Sequence, residues 1–366
     1  MKKSTKKWSV RLTALVYLLA VALVLVVSDA CNKSRHNCDK DHMQNQESLT
    51  GNHVATAMKQ NAAQAKVVSV LSITPSTDGS GTWVNFKELA EQFTVTDAAV
   101  LDVLKVALNE NNAIKITFDP WKGLVTKAEP VSAQERMTYS SRSIIKSPGS
   151  SVSLDLASVN ADVINTQAAM GVINTTAPAT GLTNVVPDMA TAQLMFDYIA
   201  HQCCVLSGPY GVDHCITFQY CEDGCYARAH KMCYVINNRF HYATHKIFSF
   251  AYPGAYTLAV KGEKWGGCCI RWWYHVAPLV NIKTPLGVKA FVFDPAMFDQ
   301  PVLLATWLHA QENPACAGSR IPKVTSYNIQ PTTSYAPNDT ASFMTDPMYT
   351  DTDATLVSYN SLISCP

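Results

Sequence analysis

Hydrophobic and polar positions divide this chain into stretches of different period. Leu12 to Val27 is a nearly unbroken apolar run. From Asn32 to about Lys66 hardly any large apolar residue occurs. Such a stretch cannot bury enough surface to offset its ordering entropy, and residues 31–66 are read as a flexible tether. Val67 to Ile73 then alternates with the period of a strand, and Trp83 to Phe86 begins another. Thr96 or Asp97 can cap a helix whose Val100, Leu101, Leu104, Ala107 and Leu108 share one face. Ala113 to Phe118 and Leu124 to Ala128 read as two more strands, joined through Pro120-Trp121-Lys122-Gly123. Residues 67–138 are thus expected to form a small α+β unit. It offers no nucleophile paired with a base.

From about Tyr139 to Thr180 the chain turns to Ser, Thr, Ala and Asn, with Pro148-Gly149 and Pro178 as breakers. Loops of that length are uncommon inside a compact domain, so residues 139–181 are expected to be an interdomain linker open to proteolytic nicking. Aromatic and cysteine residues gather beyond it, in 182–366. Asp188 is placed to cap a helix with Ala192, Phe196 and Ile199 on one side. Ile216 to Tyr220 reads as a strand leading through Cys221-Glu222-Asp223-Gly224 into a second helix, which begins at Cys225 and repeats through Ala229, Met232 or Cys233, and Ile236. Strands are predicted at Ala243 to Phe250, Trp272 to Ile282 and Val288 to Phe293. A helix followed by antiparallel strands is the order of papain-like and transglutaminase-like α+β folds.

Composition adds a compartment. Lys2, Lys3, Lys6, Lys7 and Arg11 precede the apolar run, and Ser28-Asp29-Ala30-Cys31 ends it. That order predicts a secretory signal over residues 1–30, cut before Cys31, where a bacterial lipoprotein would also carry its lipid. Secretion and lipid anchoring at Cys31 both remain open. Any membrane association is expected only through the signal or that anchor. An exported chain with 12 cysteines should carry disulfides, whose pairing spacing does not give. A net charge of +1 argues against nucleic acid as a partner.

Three residues carry the chemistry. At a helix start, free N–H groups and partial positive charge favour the thiolate of Cys225, and Gly224 allows a tight entry. A disulfide half is the competing reading of this cysteine. His275 lies in Trp272-Trp273-Tyr274-His275-Val276-Ala277, a strand so apolar that an imidazole there needs a partner. With a turn in Lys283 to Gly287, antiparallel pairing brings Asp294 opposite His275 within about a residue. Asp294 would then fix the imidazole while its other nitrogen faces the thiol. A core histidine and a turn-forming aspartate are the competing readings of those two. Trp272 can wall a narrow substrate pocket, although core packing explains it equally well. Neither a cofactor nor a metal is called for: Cys203, Cys204, Cys215, Cys221, His230 and Cys233 lack paired C-x-x-C knuckles. His230 reads as a surface or packing residue rather than a second base.

The run Asp223-Gly224-Cys225-Tyr226-Ala227-Arg228-Ala229-His230-Lys231-Met232 closely resembles the protein-glutaminase family of secreted bacterial deamidases, as do Cys268-Cys269, Tyr274-His275-Val276-Ala277 and Asp294-Pro295 with Phe298. The resemblance extends from about Leu182 to Tyr335. It implies a transglutaminase-like fold and a triad of Cys225, His275 and Asp294 that deamidates glutamine exposed in proteins or peptides. Residues from about Val67 to Glu135 resemble the family's pro-region, which fills the cleft until a protease removes it. The chain's own pro-segment and an activating protease are therefore expected partners. A cysteine peptidase or a transglutaminase on the same three residues is the alternative, and a disulfide-stapled surface lipoprotein without activity is a third.

Overall fold

The computed structural model describes residues 63–140, 143–146, 152–153, 160–175, 181–203 and 215–365. The expected signal segment, Cys31 and nearly all of the expected tether lie outside them. Strand β1 (Gln64–Pro75) starts within the last residues assigned to that tether, because Gln64 to Ser69 pair with Phe118 to Ala113. β1, β2 (Thr82–Phe86), β3 (Gln92–Val95), β4 (Ala113–Asp119) and β5 (Leu124–Pro130) close into a barrel ordered β1-β2-β3-β5-β4. Helix α1 (Ala98–Glu110) lays Val100, Leu104 and Ala107 into the barrel's own core of Val68, Val84, Phe86, Phe93, Ile116 and Phe118. Of the two expected caps, Asp97 is the one used; its carboxylate accepts from Ala99 N and Val100 N. Asp97→Ala should therefore cost about 1 kcal/mol, read as a lowered melting temperature of the barrel.

The stretch expected to be a bare linker contains elements. After α2 (Ala133–Ser140), β6 (Ile144–Lys146) and β7 (Val152–Ser153) add to C-terminal strands. Helix α3 (Ala161–Thr175) buries Ile164, Ala168 and Ala169. Asn160 accepts from Asp162 N at its start, a cap signal hidden in a polar composition.

Beyond it come α4 (Met189–Ala200), with the expected Asp188 cap, and α5 (Cys225–Phe240). β8 (His245–Phe250), β9 (Tyr256–Lys261), β10 (Cys269–Trp272), β11 (Tyr274–Thr284) and β12 (Gly287–Val292) follow. Then come β13 (Val302–Leu303), α6 (Leu304–His309), β14 (Ile321–Pro322), β15 (Ser326–Pro331), β16 (Ser334–Pro337), β17 (Ser342–Thr345) and α7 (Thr350–Tyr359). The main sheet is ordered β13-β12-β11-β8-β15-β7, with α5 packed against β11. This is an α+β fold.

Two expected strands differ. Ile216 to Tyr220 is curled into turns, because the buried Arg228 guanidinium gathers the carbonyls of Thr217, Tyr220 and Asp223 around itself. Trp272 to Ile282 is two strands that belong to different sheets. The break falls at Trp273, whose backbone bonds outside both, to Ala90 and Ala251. Among the described residues no helix is long and apolar enough to cross a membrane.

Candidate active site

Gly224 is the N-cap of α5, with φ 79° in the left-handed region. A Cβ there would stand 2.9 Å from the Tyr359 ring, so glycine alone meets both demands. Cys225 follows as the first helical residue, 1% exposed and with a free thiol. The competing reading of a disulfide half is thereby removed. Disulfides instead join Cys268 to Cys365 and Cys269 to Cys316, and Cys215 is also disulfide-bonded.

Strand β11 carries His275 between two neighbours, paired with Ser249 of β8. Leu279 pairs with Val292 of β12, and Phe293 N donates to Pro278 O, which extends the register one step. Asp294 comes next, two residues along the ladder from His275 and on the same face, slightly farther than expected. Its Oδ2 lies 2.8 Å from His275 Nε2. The imidazole's Nδ1 is buried with no hydrogen-bond partner among the described residues. The backbone of Val276, the residue after His275, acts on the Cys225 thiol instead, favouring its charged form. The strand thus brings thiol and imidazole into one locality without a direct bond between them.

The electrostatics differ from the expectation of an ionised thiol. Burial pushes the Cys225 thiol up, against the downward pull of the Arg228 charge and the Val276 backbone. Desolvation here outweighs the helix start. Asp294 shows the reverse balance: burial raises it, but His275 and the Trp307 indole outweigh that and hold its carboxyl below the usual range.

Trp272 lies face to face with His275, ring centroids 4.2 Å apart and planes 8° apart. Its Nε1 donates to the carbonyls of Cys221 and Glu222, so in this state it is a packing partner of the imidazole, 1% exposed. His230, expected to be a surface or packing residue, is buried in a separate network. Its Nδ1 lies 2.5 Å from Lys246 Nζ and its Nε2 3.1 Å from Asp346 O. Cys221 and Cys233 donate to different carbonyls, those of Phe218 and His245.

The barrel reaches this site through the loop between β2 and β3. Ala90 N donates to Asp223 Oδ1 at 2.7 Å, and Ala90 O accepts from Trp273 N at 3.0 Å. Trp273 Nε1 donates to the carbonyls of Phe86 and Leu89. Glu91 bridges Trp272 in antiparallel fashion. This loop is fixed by its backbone between the residue two before Cys225 and the residue two before His275. The resemblance implied that a pro-region fills the cleft but not which loop does so, because main-chain donors and acceptors leave no side-chain signature.

A glutaminase family model matches residues 192–311, a span that contains Cys225, His275 and Asp294. A crystal structure of pro-protein-glutaminase is 23% identical and aligns over 83% of this chain and 95% of that one, with a TM-score of 0.58. A mutant of pro-protein-glutaminase is 24% identical, over 83% and 96%, with the same TM-score of 0.58. The NMR structure of protein-glutaminase from Chryseobacterium proteolyticum is 33% identical over 50% of this chain and 93% of that one, with a TM-score of 0.42. No curated protein matches the chain. The pro-form alignments cover more than the part after the barrel can supply, so they take in the barrel as well. By these matches the chain belongs to the protein-glutaminase family.

Proposed function

We propose that this chain is a latent protein-glutamine deamidase in which Cys225 is the nucleophile, His275 the proton carrier and Asp294 the group that orients His275. The observation that carries the reading is an unpaired thiol at the first position of α5, under the influence of the Val276 backbone, whose neighbour His275 is bonded to a buried carboxylate. Transfer of the thiol proton to His275 Nδ1 gives a thiolate and an imidazolium. Sulfur then attacks the carboxamide carbon of a glutamine side chain. The imidazolium returns its proton to the departing nitrogen, which leaves as ammonia, and a thioester remains. Water, deprotonated by the same nitrogen, attacks the thioester and releases glutamate and the thiol. In this reading the backbone N–H groups at the start of α5 receive the developing oxyanion.

In this reading residues 67–138 are the inhibitory pro-domain, cleavage within 139–181 activates, and 182–366 is the catalytic domain. The loop from Glu88 to Glu91, every residue of it buried, fills the place where a substrate backbone would lie. The disulfides agree with export into an oxidising compartment, soluble or anchored at Cys31. Incubating the cut chain with a glutamine-rich protein tests the reaction. Ammonia without crosslinking or chain cleavage supports it, whereas crosslinks or new termini replace it with the transglutaminase or the peptidase.

Glu91 supplies a pH dependence. Its carboxyl is held well above the ordinary value of 4.5, first by burial and then by Glu222 and Asp223, with Lys66 opposing and Asp119 adding a little. The covered state therefore binds a proton that the uncovered state gives up. The barrel's hold is fullest below pH 4.5 and weakens as pH climbs toward the raised value. Leakage of ammonia release from the uncut chain should rise with pH over that window, and Glu91→Gln should flatten the rise. Equal slopes in the two proteins would reject the assignment.

A further inference from the structure

The buried carboxylate of Asp294 has a second partner that the proposed reaction does not use. Trp307 Nε1 donates to Asp294 Oδ2 at 2.9 Å, and His275 Nε2 lies 2.8 Å from the same oxygen. The Trp307 ring is also stacked beside the imidazole, centroids 5.4 Å apart and planes at 25°. With Trp272 at 4.2 Å and 8°, His275 is flanked by two nearly parallel indoles. All four side chains are buried, with Trp307 at 0% exposure.

We infer that Trp307 is a positioning residue for the deamidation, holding Asp294 Oδ2 on the imidazole by its indole N–H and steadying the ring by stacking.

This inference rests on the triad assigned above. A carboxylate has two oxygens and rotates about its last bond, so a single contact from His275 leaves its angle free. A second, rigid donor on the same oxygen fixes that angle, and the imidazole plane with it. The indole itself is held from behind: Trp307 O accepts from Gln311 Nε2, and Gln311 Oε1 accepts from Ser249 Oγ, on the residue that pairs with His275. A closed circuit therefore runs from β8 through α6 and the loop after β12 back to β11. Flat indole faces next to the ring also suit the imidazolium that forms when the thiol gives up its proton.

The experiment separates the N–H from the ring. Trp307→Phe keeps an aromatic face and removes the donor. Replacement of Trp307 by β-(3-benzothienyl)alanine keeps the shape and exchanges only N–H for sulfur, which covers the case in which the phenylalanine variant does not fold. Two readouts are taken. On the proteolytically cut chain, kcat for a glutamine peptide should fall roughly 10-fold to 100-fold, the range for loss of a hydrogen bond to a charged group, with KM within about twofold. On the intact chain labelled with 15N-histidine, the proton on His275 Nε2 should resonate downfield and exchange slowly in the wild type, then broaden and exchange faster in either variant. A kcat within about twofold of wild type, or an Nε2 proton unchanged in position and exchange, overturns the inference. Absence of ammonia from the cut wild type would instead end the deamidase reading, while the Nε2 resonance still tests the indole's hold.

Discussion

Cys225→Ala should lower ammonia release from a glutamine protein by on the order of 10^4-fold or more, leaving the melting temperature of the chain nearly unchanged. The scale follows from the chemistry: without sulfur there is no thioester, and water must attack an unactivated amide. Little stability is at stake, because the substitution removes a single buried sulfur. Asp294→Asn should give a smaller loss, about 10^2-fold to 10^4-fold, by presenting the wrong partner to His275 Nε2. A Cys225→Ala protein that still releases ammonia at more than about a hundredth of the wild-type rate would dismiss the nucleophile. If another thiol then carried the reaction, Cys221, equally buried and pushed up to about 12 by its burial, is the first to test.

The second large effect concerns latency. The uncut chain should be nearly silent, and a cut within residues 139–181 followed by removal of the barrel should raise activity at least tenfold. Two observations set the direction. The thiol is 1% exposed beneath the fold, where no protein substrate reaches it. Its environment also favours the neutral form, which does not attack. Uncovering the site readmits water and lowers the desolvation that keeps the sulfur protonated. The thiol should therefore become reactive toward iodoacetamide near neutral pH only after the barrel leaves. Alkylation at equal rates before and after cutting would show that the barrel does not control Cys225.

Much of the site was legible because it depends on short sequence distances. Gly224 before Cys225 marks a helix entry, and a two-residue turn at Pro285-Leu286 sets the register that carries Asp294 to His275. The barrel strands other than β3 and a helix cap at Thr96 or Asp97 were legible for the same reason: period and local capping decide them. What escaped depends on contacts that hydrophobic period does not announce. Ile216 to Tyr220 alternates like a strand, yet the buried guanidinium of Arg228, eight residues past Tyr220, bends it into turns. Helix α3 lacks a strong polar and apolar division, and its place is decided by partners such as Lys289 and Ala305. Trp307 carried no signal, since nothing near it in sequence shows that its N–H meets Asp294.

The barrel closes on itself around its own core, and most of its bonds to the rest of the chain run through a few loops. If the proposed cut falls between the barrel and the rest, a nick alone should leave two pieces that still fit, and a tethered contact should become an equilibrium governed by mass action. A concentrated digest would then look dormant and a diluted one would awaken, so the dose at which the chain is assayed decides whether it registers as switched on.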